Sequence, residues 1–374
     1  MNRSAGLLIR AATRLLPVSR RGWGRAMEAE LAAIEGTGPA LGFALGCAAA
    51  MLREAARFHI LRLAGANEEG DGAMHFLTGR PRRLAGLCAV AATGLGMLYM
   101  ALAGAPPRYL AVNGVALVSG LLAAALLARV GDVRRGIVDL MLASALLLTA
   151  WLGISADGVT RWLSVGGVLL QPGLFLLPVL VLRYARSPDA LSTVAVSLAA
   201  FALALQPDRA LAGALAAGLM ALAVARPERN VFLALSAAAT GFAATLVRAD
   251  PSGAMPWVDQ ILASSFAVHP LAGLAVWTGA ALMLVPALAG LWRPGEARVP
   301  CAVFGALWFA VILAALLGNY PTPMVGYGAS AIFGYLLCLL GLPARAQGAA
   351  ADPGRGVRPD MSGDGPHRFR VRAV

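Results

Sequence analysis

Residues 157–172 read DGVTRWLSVGGVLLQP. An Arg-Trp pair, a double glycine and a Gln-Pro follow one another inside a chain that is otherwise strongly apolar, so the place of the membrane decides how this stretch is read. Of the 374 residues, 59% are hydrophobic and 13% charged, with a mean hydropathy of +0.72; a soluble domain is about 45–50% apolar and about 25% charged. The composition is that of a membrane protein. Its formal net charge of +12 comes from arginine alone, since the sequence contains no lysine. These arginines stand between apolar segments, where they act as topology signals and attract anionic head groups, and this placement argues against nucleic acid as a partner. Cys47, Cys88, Cys301 and Cys338 are scattered singly through apolar runs without C-x-x-C spacing, so they read as small buried hydrophobes, and no metal site is expected.

Working outward from 157–172, a bilayer core of about 30 Å asks for roughly 20 apolar residues per helix. Ten stretches answer to this, at about 84–104, 109–129, 136–154, 169–183, 189–205, 210–225, 230–247, 270–292, 299–318 and 324–342. The expected fold is all-α, a polytopic bundle of about ten transmembrane helices over 83–343. Alternate connections collect the arginines: Arg80, Arg82 and Arg83, then Arg129, Arg134 and Arg135, then Arg183 and Arg186, Arg226 and Arg229, and Arg293 and Arg298, with the tail arginines on the same side. The opposite set holds Arg108, Arg161, Arg209 and Arg248. Because cytoplasmic loops gather arginine, both ends of the ten-helix block are placed in the cytoplasm, and 157–172 faces outward. Residues 1–82 form a helical region of their own at the cytoplasmic membrane surface. Within it RRGWGRAMEAELAAIEG sets Trp23, Met27, Leu31 and Ile34 on one side of a helix, while 38–54 is long enough for either a short span or an interfacial helix. Arg10 and Arg14 break the early apolar stretch, so no secretory signal is read there. The Gly-, Pro- and Arg-rich tail 344–374 cannot bury a core and is expected to be disordered.

Charge inside a span marks ion paths and proton relays, and here it is nearly missing. Asp139, about one turn into the third span, is the main exception and is expected to be interfacial or paired with an arginine. Chemistry is therefore sought in the outward loops: Arg161 and Trp162, Asp208 and Arg209, then Arg248, Asp250, Trp257, Asp259 and His269, then Asn319 and Tyr320. Arginines beside an outward cavity can grip phosphates bidentately, aromatics can lie against a sugar or lipid face, and an aspartate can act as general base. The same residues equally suit interfacial anchors and solvated loops.

Three outward segments together carry a family resemblance. DGVTRWLSVGGVLLQP is similar to the pattern G-A-x-R-W-I/L-x-x-G-x-x-x-x-Q-P-S-E, matching at Gly158, Arg161, Trp162, Leu163, Gly166, Gln171 and Pro172. LQPDRALAGA at 205–214 resembles Q-P-D-L-G-T-A through Gln206, Pro207, Asp208 and Ala212. YPTPMVGYGAS at 320–330 resembles P-x-P-F-V-S-Y-G-G-S-S through Pro321, Pro323, Val325, Tyr327, Gly328 and Ser330. In this order over residues 84–342 they resemble the SEDS family, the FtsW, RodA and SpoVE proteins of bacterial division, elongation and sporulation.

The resemblance implies a multi-pass protein of the bacterial inner membrane, acting in cell division or cell-shape maintenance. It would handle lipid II, the lipid-linked disaccharide-peptide precursor of peptidoglycan, at the outer face, with a class B penicillin-binding protein or another division protein as partner. Substrate binding falls to Arg161, Trp162, Gln171, Gln206, Arg209, Tyr327 and Ser330, and the catalytic role to Asp259 and Asp208. No cofactor is implied beyond a divalent cation for an active enzyme. The departures bear on activity. Leu174 and Leu177 stand where the family has the Glu and Lys of Q-P-S-E-x-x-K, and Arg209, Ala210 and Leu211 replace L-G-T. The catalytic H-T-D-F segment is missing, since His269 is followed by Pro270 and Leu271. Either Asp259 or Asp250 serves as general base in a peptidoglycan glycosyltransferase, or the site does not polymerise. The alternatives are a non-catalytic lipid-binding scaffold of the envelope machinery and a flippase for the lipid-linked precursor.

Overall fold

Two of the helices deepest in the bundle are too short to cross a membrane, and the architecture follows from how they are completed. The structure is a computed structural model that describes residues 3–17, 20–34, 36–63, 80–129, 135–156, 159–248, 253–293 and 295–343. The sequence expectations for Gly158, Asp250, Pro251 and Arg134, and for the tail from residue 344, fall outside these residues. Among the described residues the order is α1 (Arg3–Leu15), α2 (Arg21–Leu31), α3 (Thr37–Leu63), α4 (Pro81–Leu102), α5 (Pro107–Leu127), α6 (Arg135–Leu152), β1 (Ile154–Ala156), β2 (Val159–Val165), β3 (Val168–Leu170), α7 (Gly173–Arg186), α8 (Ala190–Leu205), α9 (Arg209–Ala225), α10 (Arg229–Leu246), α11 (Ile261–Val268), α12 (Pro270–Leu291), α13 (Val299–Leu317) and α14 (Ala329–Leu337).

Helices α4 to α10 and α12 to α14 coincide with the ten apolar stretches. Four are long and apolar enough to cross a membrane by themselves: α4, α5, α12 and the stretch Gly295–Leu317 that contains α13. The others are shorter or more polar and are covered by neighbours: α6 packs on α8, α9 on α10 and α13, and α14 on α5 and α7. The 14 residues of α7 and the 9 of α14 extend only ~21 and ~14 Å. Both are almost wholly buried, whereas α5 turns Val115, Val118, Leu122 and Leu126, one helical face, outward. Long helices thus meet lipid and short ones make the core. Close approach demands glycine at one crossing, where a Cβ on Gly334 of α14 would strike the Leu174 carbonyl of α7.

The architecture is all-α as expected, and the bounds of two spans need correction. Between α6 and α7 the described residues add one small antiparallel sheet, β1, β2 and β3 in sequence order, pairing Leu163 with Leu170 and Val165 with Val168. Gly166 and Gly167, with φ of 58° and 78°, make the two-residue turn in which both central residues need positive φ. That is what the double glycine is for. Residues 169–172 therefore belong to the hairpin and its exit rather than to a span, and the last span is helical only from Ala329.

Helices α1–α3 bury a separate cluster including Ile9, Leu16, Leu31, Ala44 and Met51. Leu31 lies in it with Met27 and Ile34 packed alongside, while Trp23 stays largely exposed. The undecided run 38–54 lies in α3, which spends one face, Ala40, Ala44, Ala48, Met51 and Ala55, on this cluster and is not among the helices apolar enough to cross alone.

Asp139 is buried and pairs with Arg183 near the end of α7 at 2.5 Å, so the expectation of an arginine partner is met. Removing only the cation leaves a buried carboxylate uncompensated, which in a protein interior costs several kcal/mol. Arg183→Gln is expected to destabilise the protein by about 3 kcal/mol and Asp139→Asn by much less, as read from unfolding midpoints in detergent.

Candidate functional site

The three motif segments, far apart in sequence, meet on Gln171. Its side-chain Nε2 donates to Asp208 Oδ2 at 2.8 Å, and its backbone N–H donates to Ser330 Oγ at 2.8 Å. Asp208 is completely buried and its Oδ1 accepts the Leu211 N–H at 3.1 Å, capping the first turn of α9 as an aspartate N-cap does. Gln171 sits where the chain leaves β3 and Pro172 begins α7, and Ser330 lies in the first turn of α14. Gln171 Oε1 is buried and accepts no hydrogen bond among the described residues.

The segment before α14 is held just as tightly. Residues 322–326 are buried yet not helical, an arrangement allowed at membrane depth only where protein satisfies the backbone. Thr322 N–H donates to Val258 O at 2.9 Å and Tyr327 N–H to Trp257 O at 2.7 Å. Asn113, from the middle of α5, donates to Gly326 O at 2.8 Å and accepts the Gly328 N–H at 3.1 Å. Three non-glycine residues of this region, Trp257, Gln260 and Met324, hold positive φ, the kind of local strain that collects at functional sites. Asn113 escaped the sequence reading because that reading looked for charge inside spans, and an amide carries none. Its signal was the single Asn in an otherwise apolar stretch.

The remaining predicted site residues divide into those spent on structure and those left for a ligand. Gln206 donates to Leu146 O at 2.6 Å and is buried. Tyr327 stacks on Tyr109, with ring centroids 3.8 Å apart. Asp259 accepts the Met255 N–H at 2.9 Å, closing its own turn, and bridges Pro321 through the backbone. Arg161, only 2% exposed, lies within cation–π reach of Trp162 and Tyr320, at 5.7 and 5.6 Å. Arg209 donates to Thr245 O and Arg248 O while lining a groove of ≈ 580 Å³ between α9, α10 and α13. Small residues, Ala210, Gly213 and Ala217, make its α9 wall, and Leu313 and Leu317, 39% and 77% exposed, make an open α13 lip. The polar end of the groove is Arg209, Asn319 and Tyr320. Neither Asp208 nor Asp259 lines it. Among the described residues no three His, Cys, Asp or Glu side chains gather where they could hold a metal ion.

The chain is similar to solved RodA structures. The rod shape determining protein RodA of Thermus thermophilus is 22% identical with a TM-score of 0.49, the match covering 68% of this chain and 92% of that one; a point mutant of it gives 23%, 0.48, 68% and 93%. A chain from a peptidoglycan synthase complex, solved for the structural coordination of polymerization and crosslinking, is 22% identical with a TM-score of 0.46, covering 70% and 97%. No family model and no curated protein matches. Likeness at these TM-scores decides nothing alone, and a functional reading has to rest on the motif residues and their contacts.

The junction predicts an asymmetry between two substitutions. Gln171→Leu loses the one side-chain hydrogen bond to Asp208 Oδ2, whereas Gln171→Glu sets a second carboxylate against it. Gln171→Glu is expected to lower the melting midpoint more than Gln171→Leu, and Asp208→Asn should restore much of the difference in the double variant. Asn113→Leu strands the part-buried Gly328 N–H and the buried Gly326 C=O, for a loss of about 2 kcal/mol in the same assay.

Proposed function

We propose that this protein is a divergent SEDS-type component of the bacterial envelope machinery that binds a polyprenyl-linked peptidoglycan precursor at the outer face of the inner membrane and does not polymerise it. The observation that carries this reading is the groove between α9, α10 and α13: an apolar trough open along the helices, ending at Arg209, Asn319 and Tyr320. A prenyl chain suits the trough. Arg209 suits the pyrophosphate as a fixed cation, and Tyr320, backed by the buried Arg161, offers a ring face to a sugar.

The loss of polymerase activity rests on the carboxylates. A general base needs its oxygen within hydrogen-bond reach of the acceptor hydroxyl. Of the candidate carboxylates among the described residues, Asp208 is buried as a helix cap and Asp259 is turned into its own loop, and the H-T-D-F segment is missing. A class B penicillin-binding protein is the partner the family resemblance implies, for which this chain would serve as a lipid-binding scaffold.

Purified protein in nanodiscs is expected to retain labelled lipid II and yield no glycan polymer with or without a class B penicillin-binding protein. Arg209→Ala and the groove-filling Ala217→Trp should each weaken retention about tenfold, while Asp259→Asn leaves it unchanged. Polymer that disappears in Asp259→Asn would return the protein to the glycosyltransferases. Absence of retention by the folded wild type would overturn the binding reading.

A further inference from the structure

At the end of the bundle opposite Gln171, a second groove of ≈ 400 Å³ opens between α5, α6, α7 and α14. Its floor is apolar, with Leu142, Phe175 and Leu337, and its mouth carries Arg82, Arg183 and Arg186. Arg82 donates to Leu342 O at 2.6 Å and Leu340 O at 3.1 Å, and Arg186 donates to the same Leu340 O at 3.4 Å. Two guanidinium groups are thereby drawn to one carbonyl, which supplies a dipole and no net charge. Arg183 is matched by Asp139, and no carboxylate is among the lining residues. Among the described residues the mouth thus gathers three cations against one anion and leaves an excess of two.

We infer that this groove is a binding site for an anionic glycerophospholipid, its phosphate between Arg82 and Arg186 and an acyl chain along Leu142, Phe175 and Leu337. Like charges held together at the rim of a hydrocarbon-facing trough are stabilised by an anion that is itself part of an amphiphile: the phosphate offsets the repulsion, and the acyl chain fills space that a soluble ion would leave empty. Basic clefts between transmembrane helices at the level of the head groups are suited to this kind of lipid. The site is at the other end of the molecule from the precursor groove and does not rest on that function.

The test uses the full-length protein in detergent, given equal amounts of phosphatidylglycerol and phosphatidylethanolamine and read by native mass spectrometry. One phosphatidylglycerol is expected to be retained about tenfold over phosphatidylethanolamine. Arg186→Gln, which removes an exposed side chain and one long hydrogen bond, should lower the retained fraction about fivefold, a factor in keeping with one arginine at a membrane surface. Arg298→Gln, an exposed arginine outside the groove, should not change it. Leu142→Trp should lower it with every arginine in place, which keeps the test valid if Arg186→Gln does not fold. Equal retention of the two lipids, no effect of either groove variant, or complete displacement by inorganic phosphate would overturn the inference, the last by showing that a free anion is enough.

Discussion

The backbone N–H and side-chain amide of Gln171 join three chain segments that lie far apart in sequence. Asp208 caps α9 while accepting from this amide, and Ser330 in the first turn of α14 accepts the adjoining backbone N–H. All three residues are buried, where each polar group left without a partner costs about 1–3 kcal/mol. The segments are therefore held in one arrangement. Since α9 forms a wall of the groove proposed for the precursor and begins at Arg209, the position of the proposed binding arginine follows from the Asp208 cap and so from Gln171.

A second consequence concerns how a bundle containing such short helices remains intact at membrane depth. Helices α7 and α14 stop far short of the bilayer thickness, and the chain before each is non-helical. Ahead of α7 the backbone is satisfied within the β2–β3 hairpin; ahead of α14 it is satisfied by Asn113, Trp257 and Val258. Surrounding these segments with long, lipid-facing helices removes them from hydrocarbon that could not hydrogen-bond to them.

The carboxylates show how a motif residue can be held in place by structural needs alone. Asp208 keeps its place in the Gln-Pro-Asp sequence because a cap and a partner for Gln171 are still required. Those needs are structural and persist whether or not a proton is ever transferred. Arg161 is similar, a buried cation lying within reach of two aromatic rings. What is left facing the groove is a phosphate-competent arginine, an amide and a phenol, a set suited to holding a lipid-linked sugar and poor in bases.

Much of this was legible in the residues alone. Hydropathy located the ten apolar stretches, alternation of arginine placed Arg82, Arg183 and Arg186 at one end and Arg161 and Arg209 at the other, and a lone Asp139 implied a cationic partner. These are properties of composition and period, which a chain carries before it folds. The hairpin was half legible: Gly166-Gly167 announced a turn, yet the flanking strands were masked by apolar residues that suit a span as well. Only the tertiary structure decided that Asn113 reaches Gly326 and Gly328, that Gln171 joins Asp208 to Ser330, and that Asp208 and Asp259 lie outside the groove Arg209 lines. Such contacts depend on which helix faces pack together across long sequence separations, and hydropathy, which fixes how deep a residue lies, is blind to direction around the helix bundle.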